Sequence, residues 1–88
     1  MKVKIFWQEN CPDCSRAKKL GKQLEDQNIL VEYWNINTVE GLTEACLYNI
    51  LSTPSLVITD SEGKEIKGWK GQIPLLEEMK RGIAGLIR

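Results

Sequence analysis

The stretch "QENCPDCSRAKKL" (residues 8–20) sets Cys11 and Cys14 three positions apart, with Pro12 and Asp13 between them. Two thiols so spaced can cycle between dithiol and disulfide, hold a metal, or staple a loop. The chain has three cysteines and no histidine. Structural zinc wants four ligands, usually cysteine or histidine, which this chain does not offer. A lone pair could still carry Cu(I) or share a cluster between two subunits. The leading reading is a redox-active pair in a protein-disulfide reductase. The alternative is a metal- or iron–sulfur-binding module using the same thiolates.

Behind the pair, Ala17, Leu20 and Leu24 recur at spacings of three and four, which predicts a helix with its polar face in water. The pattern begins at Pro12, with Cys11 as the expected N-cap. Helical residues three apart have Cβ atoms about 5–6 Å from each other. A disulfide needs about 3.5–4.5 Å, so a slightly tightened first turn suffices. The unpaired N–H groups and positive dipole end of a helix favour an anion. Cys11 is therefore expected to have a depressed pKa, in the roughly 3.5–7.5 range of such cysteines. Cys14, one turn in, is expected to be buried. Cys11 then attacks a target disulfide and Cys14 resolves the mixed disulfide. Asp13 opposes the thiolate and leans the couple toward reduction, near about −270 mV; a value above about −180 mV would contradict this. Arg16, Lys18 and Lys19 read as a solvated face that could also attract an acidic partner.

The elements that must position this pair follow from periodicity. Lys2 to Trp7 alternates as a strand, with Val3 and Ile5 on one face. "ILVEYWNIN" (29–37) reads as a buried strand, Trp34 included. Asn37 opens a second helix, with Leu42, Cys46 and Ile50 inward and Asn49 as its left-handed terminator. Cys46 is expected in the core. "STPSLVITD" (52–60) is a strand with Pro54 at its entrance. "DSEGK" (60–64) is a hairpin turn and "KEIKGW" (64–69) the returning strand. Pro74 begins a last helix, with Leu76, Met79, Ile83 and Leu86 inward and its end weakened by Gly82 and Gly85. The order β-α-β-α-β-β-α predicts an α/β fold: one domain over residues 1–88, a four-stranded mixed sheet flanked by three helices.

Composition narrows the function. The formal net charge is zero, so no electrostatic footprint for nucleic acid or anionic lipid is visible. No apolar run approaches the roughly 20 residues of a membrane span, and "MKVKIFWQEN" lacks the apolar block of a signal peptide. A cytoplasmic monomer without a resident cofactor is expected. In a reducing compartment a CxxC pair is more often catalytic or metal-binding than a permanent staple.

"FWQENCPDC" after the first strand, "YNILSTPSLVI" across the second helix and third strand, and Gly68 together resemble the thioredoxin/glutaredoxin superfamily. The resemblance implies a thioredoxin-like fold and thiol–disulfide exchange. It implies that the Thr53–Pro54 bond is cis and faces the cysteines, and that the Thr53 backbone pairs with substrate beside Cys11. Gly68 would let substrate approach closely, and Trp69 would line the groove or pack beside it. Partners would be disulfide-containing proteins and a reductase or low-molecular-weight thiol as electron donor. The length resembles glutaredoxins, but Gln8 stands where these commonly carry lysine, and "GWKGQIP" lacks their glycine pair. Asn10 and Ile5 stand where thioredoxins usually carry tryptophan and a buried acid. The expectation is a glutaredoxin-sized protein with thioredoxin-like chemistry.

Overall fold

Alternation in KVKIFW produces β1 (Lys2–Trp7), which sends Val3 and Ile5 to one face of a sheet and Lys4 and Phe6 to the other. A computed structural model, which describes residues 1–84, continues with α1 (Cys14–Glu25), β2 (Val31–Asn35), α2 (Val39–Leu47), β3 (Ser55–Thr59), β4 (Glu65–Lys70) and α3 (Leu76–Ala84). The strands lie in the order β2-β1-β3-β4, with β1 parallel to β2 and antiparallel to β3, and β3 antiparallel to β4. This is the expected element order and mixed sheet. Gly85 and Leu86, assigned to the last helix from sequence, lie outside the described residues.

Each sheet face has its own apolar cluster. Val3, Ile5, Leu56, Ile58 and Trp69 pack against Ala17, Leu20 and Leu24 of α1 and Met79 and Ile83 of α3. On the opposite face Phe6 and Val57 meet Ala45 and Tyr48 from α2 and the residue after it. β3 is buried along its whole length because both faces are covered.

Four local expectations are corrected. α1 begins at Cys14 with Asp13 as N-cap, so Pro12 and Cys11 form a turn before the helix. Pro74 likewise lies outside its helix, two residues before α3 starts at Leu76. β2 is an edge strand, which leaves Trp34 half-buried and Tyr33 exposed. Its apolar run reflects packing on both sides of an edge rather than enclosure. α2 is capped by Thr38, whose hydroxyl accepts the Gly41 N–H at 3.0 Å, not by Asn37. The inward stripe is accordingly Gly41, Ala45 and Tyr48, while Leu42, Cys46 and Leu47 are exposed. Small residues let α2 approach the sheet closely, so the bulkier apolar residues face out. Asn49 does take the left-handed conformation, φ 57°.

One polar residue crosses the α2 face. Lys4 is 8% exposed and pairs with Glu44 and, at 3.5 Å, with Glu32. Its ammonium lies 5.2 Å from the Tyr48 ring centroid and 5.4 Å from that of Trp34. Burial alone would lower the Lys4 pKa, but the hydrogen bond and charge of Glu44, with Tyr48 and Glu32, leave it raised.

Candidate active site

The cysteine pair sits where β1 runs out. Trp7 ends the strand, and Asn10 turns the chain with φ 60°, a left-handed conformation that asparagine tolerates better than most side chains. Cys11 and Cys14 form a disulfide with Cα atoms 5.3 Å apart. The Cys14 N–H donates to the Cys11 carbonyl at 3.2 Å, closing the turn that precedes α1. Asp13 offers no side-chain cap; its carbonyl accepts the N–H groups of Arg16 and Ala17. The Asp13 carboxylate lies 3.6 Å from the Arg16 guanidinium, with both side chains mostly in solvent, so this pair contributes little to stability. Cys14 is 3% exposed, whereas Cys11 is half-buried and borders a depression of about 490 Å³ with Trp7, Gln8, Pro12 and Lys18. Trp7, half-buried, is thus a wall of the site.

A second loop reaches the same end of the sheet. Phe6 pairs with Ser55, so the residues just before β3 lie beside the end of β1. Those residues are Ser52, Thr53 and Pro54, and the Thr53–Pro54 peptide is cis. The Thr53 hydroxyl oxygen is buried and has no hydrogen-bond partner among the described residues. Ser55, fully buried, ties this loop down. Its hydroxyl donates to the Ser52 carbonyl at 2.7 Å and accepts the Gly71 N–H at 2.9 Å. Gly71 follows β4, whose Lys70 pairs with Ser55. It has φ 77°, a conformation that favours glycine, and a Cβ there would stand 2.6 Å from the Ser52 hydroxyl and displace it.

The structure therefore brings Cys11, Pro12, Asp13, Cys14, Thr53 and Pro54 to one end of the sheet. It places Gly68 and Trp69 elsewhere. Gly68 pairs with Val57, two residues into the ladder from Ser55. Trp69 is 6% exposed and packs into the α1/α3 cluster. Strand alternation dictates this: Trp69 pairs with Leu56, which faces that cluster. Ser55 and Gly71 were not singled out from sequence. The signal for Gly71 was its place directly after a strand, in "GWKGQ". Ser55 carries no signal beyond following Pro54. Cys46 is exposed on α2, and among the described residues no three Cys, Asp or Glu side chains cluster as metal ligands would.

With this geometry established, the comparisons with known proteins are consistent. A thioredoxin-domain family model matches residues 1–84, and the chain belongs to the thioredoxin family. A probable thioredoxin of Archaeoglobus fulgidus is 37% identical over 59 residues, covering 66% of this chain and 65% of that relative. The match thus spans just under two thirds of that relative's length. Thioredoxin 1 of Thermosipho africanus superposes with a TM-score of 0.77 at 20% identity, over 99% of this chain and 94% of that one. A thioredoxin-fold protein from Helicobacter pylori gives a TM-score of 0.70 at 24% identity, over 96% and 71%. At these identities the structural likeness speaks for the fold. Among the described residues no helix is long and apolar enough to cross a membrane.

Proposed function

We propose that this protein is a thiol–disulfide oxidoreductase that reduces disulfides in other proteins. The observation that carries the reading is the asymmetry of the bonded pair: Cys11 is half-buried at the rim of an open depression and Cys14 is buried behind it. In the reduced protein the Cys11 thiolate attacks one sulfur of a substrate disulfide and expels the other as a thiolate, which takes up a proton. The Cys14 thiolate then attacks Cys11 in the mixed disulfide, forms the Cys11–Cys14 bond and releases the second substrate thiol. Two electrons and two protons have passed to the substrate, and the protein is left in the disulfide state of the structure. A reductase or a low-molecular-weight thiol returns the electrons.

The surrounding residues divide the remaining work. The amide groups opening α1 stabilise negative charge on the Cys11 sulfur, and Asp13 opposes that from an exposed position. Thr53 and Pro54 offer backbone to an extended substrate segment beside Cys11. The test is turnover of insulin or a small neutral disulfide by the reduced protein. The reading expects stoichiometric thiol release that disappears in Cys11→Ser. A wild-type protein that releases no thiol refutes it.

A further inference from the structure

The depression beside Cys11 does not end at the cysteines. It shares Trp7, Ser15 and Lys18 with a second depression of about 510 Å³, which runs along α1 to Tyr33 and Glu25. The two adjoin at these residues and together make a groove that leads away from the disulfide along α1. Its floor is aromatic. Trp7 and Tyr33 lie on the α1 face of adjacent strands, and Gly21 leaves room for the Tyr33 ring to lie against the helix.

Its far half is basic. Lys18, Lys19 and Lys22 line it, and among the described residues no carboxylate lies within 4.0 Å of any of them. Lys18 is held over the Trp7 ring, its ammonium 3.4 Å from the ring centroid. The one carboxylate there, Glu25, accepts the Tyr33 hydroxyl at 2.7 Å. Glu9 lies at the cysteine end and Lys18 borders both depressions, while Lys19 and Lys22 add positive charge only at the far end.

We infer that this groove docks an acidic polypeptide segment flanking the cysteine of the substrate disulfide, and so selects among substrates. The inference rests on the proposed reductase reading and adds a substrate class to it. The geometry also fixes where the acidic residues belong. At 1.5 Å rise per residue, Lys18 and Lys22 stand about 6 and 12 Å along α1 from Cys14. An extended segment covers about 3.3 Å per residue. The carboxylates that meet these lysines are therefore about two to four positions from the attacked cysteine, on one side of it. The aromatic floor accommodates the backbone and apolar side chains between them.

The test uses the pre-reduced full chain in single-turnover reactions with symmetric peptide disulfides. One peptide carries aspartates two to four positions after its cysteine, another carries them before it, and a third has asparagine throughout. Exposed charge pairs are individually weak, so two or three give about a fivefold gain in second-order rate constant at low ionic strength. One aspartate peptide should show this gain over the asparagine peptide and the other should not. High salt should remove it. Replacing Lys18→Gln and Lys22→Gln together should bring the ratio close to one. Equal rates for all three peptides, equal gains for both aspartate peptides, or a gain that survives both lysine substitutions would each overturn the docking proposal. In those outcomes the asparagine peptide is still reduced, and the reductase reading stands. Failure to reduce any peptide would overturn the reductase reading and the docking proposal with it.

Discussion

Ser55→Ala tests whether the loop beside the cysteines is held by the hydroxyl clamp. The substitution removes one donor to the Ser52 carbonyl and one acceptor from the Gly71 N–H, at 2.7 and 2.9 Å, from a fully buried position. Each hydrogen bond contributes about 0.5–1.5 kcal/mol net, and a buried group left unpaired costs about 1–3 kcal/mol. The two backbone groups are only partly buried, so water can recover some of the loss. A destabilisation of about 2 kcal/mol follows from these ranges. For a domain of this size it lowers the melting temperature by about 8–16 °C. Urea unfolding measures the free energy directly through a shifted midpoint at constant slope. The clamp also has a kinetic signature that a merely structural role lacks. If it positions Thr53 against substrate backbone, the rate constant for a peptide disulfide should fall about tenfold, a modest share of what misplacement can cost. Reduction of dihydroxyethyl disulfide, which has no backbone to dock, should change by less than about twofold, being governed by the thiolate rather than by docking. A stability change under about 0.5 kcal/mol refutes the clamp. Equal loss on both substrates refutes its positioning role.

Three further outcomes follow from the packing. Lys4→Met leaves Glu44 without its cation and Glu32 with Lys2 alone, and should cost about 1–3 kcal/mol, below the fully buried limit because both carboxylates retain some solvent. Since the Lys4 pKa is raised above 10.5, its stabilisation is fully present below that pH and lost as pH rises through its folded value. The Glu32 pKa is lowered below 4.5: burial opposes this, but hydrogen bonds from Lys2 and Trp34 and the charges of Lys4 and Lys2 outweigh it. Its contribution is present above pH 4.5 and lost as pH falls through its folded value. The stability gap between wild type and Lys4→Met in urea should be widest between these limits, and a pH-independent gap contradicts the network. Gly21→Ala sets about 1 kcal/mol of helix propensity against a Cβ placed 2.6 Å from the Tyr33 hydroxyl and 2.7 Å from the Ile5 Cδ1. Overpacking of about 1–3 kcal/mol should win, and a more stable variant contradicts the close approach. Cys46, exposed on α2, should be the one cysteine alkylated in the native oxidised protein, and Cys46→Ser should leave peptide reduction unchanged. Mass spectrometry showing Cys46 protected would place it in the core after all.

The element order was legible because the decisive patterns are local. Alternation in residues 2–7, the three-and-four spacing of Ala17, Leu20 and Leu24, and the hairpin turn at residues 60–64 each specify one element. The orientation of α2 was not legible, because its hydrophobic residues are on the outside. Gly41 and Ala45 face the sheet, and their smallness is information about approach distance, which hydrophobic periodicity does not encode. The site divided in the same way. CPDC announces itself by residue type and spacing and Thr53–Pro54 through the family resemblance, whereas Ser55 acquires its role only when β3 and β4 pair and bring Gly71 beside it. Gly68 and Trp69 drew notice through the family resemblance, but the pairing register carries them into the ladder and the core. The groove along α1 needed the structure as well, since Trp7 and Tyr33 are far apart in sequence and become neighbours through the parallel pairing of β1 and β2.

The central claim is that Cys11 attacks and Cys14 releases. Cys14→Ser removes the second step and leaves the first intact. Incubating the reduced variant with a peptide disulfide, quenching with acid and mapping the adduct by mass spectrometry reads the claim directly. The account predicts one peptide per protein, attached through Cys11, stable until a reductant is added, with Cys11→Ser forming far less adduct. Adduct chiefly through Cys46, or an equal yield from Cys14 in the Cys11→Ser variant, would contradict it.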